Sequence, residues 1–203
     1  LIIDPPIKLL WSTYFGGTGN DGPQSVSSDA NGNIFVSGYT TGNLPFPIGG
    51  YVYDGTLNGP FDGFISKFNI NGVQQWTTYF GGSGEDRCLE IAADNNGFCF
   101  VVGHTNSTNF PVTNGSTING GNTTSAYDGF IAKFDGTGHL VWSTFIGSAN
   151  NQYVTSVACD NLGNVVCSGY GIGYTVPYQQ VGNEYYQIPS NGNLNNDAFI
   201  LKF

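Results

Sequence analysis

The chain has 203 residues, of which 39% are apolar and only 9% charged, and five Lys or Arg against fourteen Asp or Glu leave a net charge of −9. Fifteen Phe and twelve Tyr supply ample core and exclude wholesale disorder. So few basic side chains argue against a nucleic-acid partner, whose affinity is largely counterion release, and no apolar run is long enough for a bilayer span, so membrane insertion is not expected.

Thirty-one Gly, abundant Asn and Thr, and many aromatics describe a turn-rich β protein. Apolar residues nowhere keep a spacing of three and four for long, so almost no helix is predicted. Taken in chain order, three segments return. The first is WSTYFGG at 11–17, WTTYFGG at 76–82 and WSTFIGS at 142–148, so that Trp11, Trp76 and Trp142 lie 65 and 66 residues apart. The second is VSSDANGNIFVSGYT (26–40), which comes back at 91–105 and 157–171. The third is DGFISKF (62–68), DGFIAKF (128–134) and DAFILKF (197–203). Three motifs in one order with one period make a tandem repeat of about 65 residues, over approximately 1–65, 66–131 and 132–203.

Each copy resolves into four short antiparallel strands, in the second copy roughly 64–69, 73–80, 88–94 and 98–105. Asp29, Asp94 and Asp160 open a hairpin turn, and Gly32, Gly97 and Gly163 follow three residues later, where a positive φ beside a bulge is expected. The strand Ile34–Tyr39 is apolar on both alternations, which fits sheets stacked face to face. Four-stranded units repeated radially describe the blades of a β-propeller. The whole chain is therefore expected to be one propeller segment, all-β, with the repeats circularly offset from the blades.

The pattern W-S-T-Y-F-G-G-T-G-N-D, then D-x-x-G-N-x-x-V-x-G-Y-T, F-P and D-G-F-I-x-K-F resembles the bacterial β-propeller repeat family called SBBP. The third copy departs from it, with Val176-Pro177 for the F-P step and GSANNQ (147–152) for GGTGND (16–21). The resemblance implies a secreted or cell-surface bacterial protein and no common activity. Three repeats are fewer than the four to eight blades of a ring, and Leu1–Asp4 matches Ser66–Asn69 as the end of a strand. Further blades from the same chain are therefore expected as partners, with a second copy as the alternative.

Trp11, Trp76 and Trp142 recur in every copy and are read as structural repeat positions; Asp62, Asp128, Asp197, Lys67, Lys133 and Lys202 recur too and are read as making blade-to-blade or strand-to-turn hydrogen bonds. Asp21, Glu85 and Asp86 in the acidic Gly-rich loops are weak calcium candidates, because carboxylates and carbonyls suit that ion. No other cofactor or metal is expected: His104 and His139 lack ligand spacing, there is no C-x-x-C, Cys99 and Cys167 sit at small apolar positions, and these two with Cys88 and Cys159 are expected as free buried thiols. No catalytic group is expected either, since no carboxylate pair, Ser-His-Asp or Cys-His arrangement recurs.

Specificity is sought in the long connections, roughly 42–61, 106–127 and 171–196, which share almost nothing beyond F-P or V-P. Tyr174, Tyr178, Tyr185 and Tyr186 in the third form the candidate binding group, rigid faces with polar tips for a glycan or protein ligand. The functional expectation is a non-catalytic extracellular binding or adhesion module. The alternatives are a structural spacer in a long surface protein and, third, a glycosidase-type propeller enzyme.

Overall fold

The computed structural model describes residues 8–113, 117–118, 126–147, 150–160, 162–172 and 196–203. Within them the chain is all-β: β1 (Asp21–Ser28), β2 (Ile34–Thr40), β3 (Asp62–Phe68), β4 (Gln74–Phe80), β5 (Asp86–Ala93), β6 (Cys99–Thr105), β7 (Thr117–Ile118), β8 (Asp128–Phe134), β9 (Leu140–Ile146), β10 (Gln152–Cys159), β11 (Val165–Ile172) and β12 (Asn196–Lys202). They form three sheets, ordered β1-β2-β3-β4, β5-β6-β8-β9-β7 and β10-β11-β12. All pairings are antiparallel except the short β7, which runs parallel to β9. The four strands recognised as one copy are thus divided: β3 and β4 close the first sheet, and β5 and β6 open the second.

The β1–β2 hairpin and its copies fold as their residues dictate. Asp29 Oδ1 accepts hydrogen bonds from the Asn31 and Asn33 amides at 2.9 Å; Asp94 and Asp160 do the same in their own turns. Gly32, Gly97 and Gly163 take φ of 75°, 84° and 85°, which only glycine adopts without strain. The bulge lies elsewhere than expected. The register shifts fall between Pro23 and Ser25, Cys88 and Glu90, and Val154 and Ser156, early in each innermost strand. A bulge there bends the strand and increases its twist.

The sheets stack through both faces. Strand β5 packs on β1, β2 and β3, and β10 packs on β5, β6 and β8. One core lies between the first and second sheets and includes Phe35, Ile65, Ile91, Val101, Phe130 and Phe134. A second, with Phe100, Ile131, Val157 and Cys167, lies between the second and third. Burying one such side chain contributes about 1.5–3 kcal/mol, so the seams hold the units together. The innermost strands are also sheet edges, whose free amides need partners. Ser27 Oγ accepts from Ala93 N at 3.0 Å, and Glu90 Oε2 accepts from Val157 N at 2.5 Å. The uncovered faces behave differently: Ile131 is fully buried, but its counterpart Ile200 is 76% exposed.

Each recurrent Trp reaches into the following sheet. Trp11 Nε1 donates to Ile70 O and Trp76 Nε1 to Gly136 O, both at 3.1 Å. These acceptors sit at the same point of the β3–β4 and β8–β9 hairpins. Phe15 lies 5.5 Å and 5.6 Å from Phe64 and Phe68, while Phe80 lies 5.7 Å and 5.1 Å from Phe130 and Phe134. Residues 11–17 therefore occupy the place of an outer strand belonging to a preceding unit. The segment is nonetheless not a strand, because no described strand lies beside it to complete a ladder.

Removing the ring and removing its N–H should have separable effects. Trp76→Ala is expected to destabilise the chain by about 3–5 kcal/mol in denaturant titration, and Trp76→Phe by about 1 kcal/mol, because Lys67 still reaches Gly136 O. Equal losses would show that the hydrogen bond, not the ring, holds the seam.

Candidate functional site

The recurrent charged residues of the first two copies face their own scaffold. Lys67 Nζ donates to Gly136 O at 2.9 Å across the seam, and Lys133 sits 4.2 Å and 5.0 Å from the Phe98 and Phe100 ring centroids. Lys202 is exposed at the end of β12. Asp62 Oδ2 and Oδ1 accept from the Asn58 and Gly59 amides at 2.7 Å and 3.0 Å. Asp128 is buried at the start of β8, and Asp197 half-buried near the start of β12. Trp142 is half-buried, 6.1 Å from Phe203.

The calcium candidates are distributed over two sheets. Asp21 Oδ2 accepts from Gly17 N at 2.9 Å, and Asp86 Oδ2 accepts from Gly82 N and Ser107 Oγ at 2.7 Å each. Glu85 Oε2 accepts from the Tyr127 hydroxyl at 2.7 Å. Among the described residues no group of three or more His, Cys, Asp and Glu side chains is arranged to hold a metal ion. Cys88, Cys99 and Cys167 are buried thiols and Cys159 is half-buried. Cys159 pairs across the hairpin with Val165, the register that its sequence position suggests. Tyr174, Tyr178, Tyr185 and Tyr186 lie outside the described residues.

The long connections of the first two units do meet. A cleft of about 380 Å³ opens between them, lined by Tyr53, Asp54, Asn58, Gly81, Gly82, Asn109 and Pro111. That volume suits a small ligand. The segment around Asp54 is tied to the outer strand of its sheet, with Tyr79 N donating to Asp54 O and Asp54 N to Thr78 Oγ1. Asn58 Nδ2 donates to Asp54 Oδ2 at 2.8 Å, which fixes the carboxylate and amide together. From the second sheet Asn109 Oδ1 accepts from Ser83 N at 2.8 Å. Gly82 is required there, since a Cβ would come within 2.5 Å of Asn109 Oδ1. The half-buried Tyr53 ring is held edge-on, 6.1 Å from Phe134. Chemically the cleft offers an aromatic ring, one carboxylate and two amides, with no strong nucleophile.

A second constellation lies along one edge of both seams, where β2, β3 and β5 begin or end at the first and β6, β10 and β11 begin or end at the second. Arg87 lies over the rings of Tyr39 and Phe61 at 4.6 Å and 4.8 Å. His104 meets Tyr127 at 5.2 Å and Tyr153 at 5.0 Å, and Tyr153 meets Tyr170 at 5.2 Å. Sequence reasoning overlooked both groups. The one signal for the second was that Arg87, the sole arginine, occupies the position of Gly22 and Tyr153.

The family profile described as a beta-propeller repeat, SBBP, matches residues 10–45 and 75–111. The chain is 30% identical over 156 residues to the regulatory protein FlaEY of Caulobacter vibrioides, covering 73% of this chain and 15% of that protein. It is 29% identical over 140 residues to an uncharacterized WD repeat-containing protein of Acanthamoeba polyphaga mimivirus, covering 64% of this chain and 10% of that protein. The chain therefore spans a small part of either relative, one named as a regulatory protein and the other as an uncharacterized WD repeat-containing protein.

Two titrating groups near the seam pull stability in opposite directions. Burial, opposed by its two amide donors and reinforced by Asp86 and Asp54, raises the Asp62 carboxyl to about 6. Burial, with Arg87 beside it, lowers His104 to about 4. Between about pH 4 and pH 6 the native Asp62 holds more proton than the unfolded one, so its contribution falls as pH rises. The native His104 holds less proton than the unfolded one between about pH 4 and pH 6.5, so its contribution is lost as pH falls. Unfolding titrations from pH 4 to 7 should therefore tilt upward with pH for Asp62→Asn and downward for His104→Tyr, each relative to the parent. Parallel curves for all three proteins would refute the assignment.

Proposed function

We propose that this chain, which carries the SBBP β-propeller repeat, is a non-catalytic binding module of a bacterial secreted or cell-surface protein, and that the cleft between its first two units takes a neutral sugar. One observation carries the reading. Trp76 and Lys67 are engaged in the first seam, whereas Tyr53, Asp54, Asn58 and Asn109 come from connections that no other copy repeats. A rigid frame presenting variable loops is how binding surfaces are commonly built. The chemistry favours a sugar because hydroxyls both donate and accept. Asp54 accepts hydrogen bonds from hydroxyls, the asparagine amides donate or accept, and the Tyr53 ring offers an apolar face to C–H groups.

The second reading, a spacer among further blades, is favoured by the faces that the first and third units leave open. Val26 is 67% exposed where its counterpart Ile91 is 3%, and Ile200 is 76% exposed. On this reading further blades of the same chain cover both faces. The two readings coexist in a long protein, since a blade that transmits load can also carry a site.

The test is titration calorimetry of the parent and of Asn58→Ala combined with Asn109→Ala against a panel of neutral mono- and oligosaccharides. At least one sugar should bind the parent, and the double variant should bind it about tenfold or more weakly with its melting temperature within a few degrees. Equal binding by a folded double variant would place the ligand elsewhere, and no binding to the parent by any member would leave the spacer reading standing.

A further inference from the structure

The loop that lines the cleft at Gly81 and Gly82 runs directly on to Glu85 and Arg87, and the chemistry there suits the same kind of ligand. Resting on the sugar reading of the cleft, we infer that Glu85, Arg87, Tyr153 and Tyr170 form a second sugar subsite, so that the molecule recognises a neutral oligosaccharide lying across the 81–86 loop rather than a single sugar.

The loop makes the two places neighbours. Gly81 and Gly82 line the cleft, and Glu85 follows three residues after Gly82. Three residues of extended backbone span at most about 10 Å, a length that roughly two linked sugar rings cover. The loop is fastened throughout: Gly84 N donates to Ser107 Oγ at 2.7 Å, Glu85 N to Asn106 Oδ1 at 2.6 Å, and Asn106 N to Glu85 O at 3.1 Å. Cleft and constellation therefore keep a fixed relation, as a ligand of several units requires.

Neither charge is needed by the repeat. Arg87 stands where the other copies have Gly22 and Tyr153, and Glu85 where they have Asn20 and Asn151. The pair is also incompletely used within the fold. The Arg87 and Glu85 side chains are each 32% exposed and 3.9 Å apart, beyond hydrogen-bond distance. Arg87 Nε is buried without a hydrogen-bond partner. Stacking on Tyr39 and Phe61 fixes the guanidinium plane, so its donors are aimed before a ligand arrives.

Charge decides the ligand class. An anion approaching Arg87 meets the Glu85 carboxylate, and a cation approaching Glu85 meets Arg87. Adjacent hydroxyls on one sugar satisfy both: one accepts from the guanidinium while its neighbour donates to the carboxylate. Tyr153 and Tyr170 lie 5.2 Å apart with an interplanar angle of 32°, and Tyr170 is 39% exposed, which supplies an aromatic face for the next ring.

The decisive experiment is calorimetric titration with neutral cello-, malto- and chito-oligosaccharide series of one to six units, on the parent, Arg87→Gln, Tyr170→Ala and Asn109→Ala. For the series that binds, parent affinity should rise about tenfold or more with length and then level off. Arg87→Gln and Tyr170→Ala should remove that rise while leaving the shortest binding member unchanged, and Asn109→Ala should weaken every member. Tyr170 is partly exposed, so its truncation keeps the test valid if the Arg87 variant is unstable. Binding that is independent of length in the parent, or a rise that survives both inner variants, overturns the second subsite and leaves the cleft. Absence of binding at every length in the parent overturns both.

Discussion

Everything in this molecule follows from sheets that are apolar on both faces and so must be covered on both. A four-stranded sheet with one wet face could stand alone on a single core. Here Phe35 and Ile65 on one face of the first sheet and Phe64 and Tyr79 on the other are all buried. The solution repeated along the chain is a neighbour of the same kind. Trp76 and Lys67 lock the first pair to Gly136 at the outer end, and serine or glutamate side chains satisfy the edge amides of both pairs. The seam is thus apolar at its centre and hydrogen-bonded at both margins, which fixes translation as well as separation.

That fixity gives the copy-specific residues a geometry to act from. A long connection in one unit has no site by itself. Beside the connection of the next unit it forms one wall of a cleft, and Gly59 lets the two walls approach, since a Cβ there would come within 2.0 Å of Gly84 O. The frame also tolerates change at positions along the edge of the seams. Gly22, Arg87 and Tyr153 occupy one repeat position and share one cross-strand register, opposite Tyr39, His104 and Tyr170. A glycine, a cation and a phenol at that point leave the ladder unaltered while changing the surface completely.

The local features were legible from the residues. Turns closed by Asp29, Asp94 and Asp160 depend on atoms within four residues of one another, so spacing alone specifies them. The bulges were not legible, because the place at which an inner strand bends answers to the sheet it must cover. Nor was the partner of each Trp: recurrence marked Trp76 as structural, but its acceptor is a carbonyl 60 residues further on, in a turn with no marking of its own. Both candidate sites escaped notice for a related reason. Tyr174, Tyr178, Tyr185 and Tyr186 are close in sequence, whereas the cleft and the Arg87 group assemble from residues as far apart as Tyr39 and Tyr170.

By itself the sequence determined the number of repeats, the strand content, the turn chemistry and the two-faced strands that demand stacking, since all of these are written in periodicity and short-range chemistry. It did not determine where one sheet ends and the next begins. A repeat looks the same wherever it is cut, and only hydrogen-bond pairing placed β4 with β3 and β5 with β6. Nor did it determine which side chains are free to meet a ligand. That depended on which were used up in the seams, and a seam exists only once two units have been brought face to face.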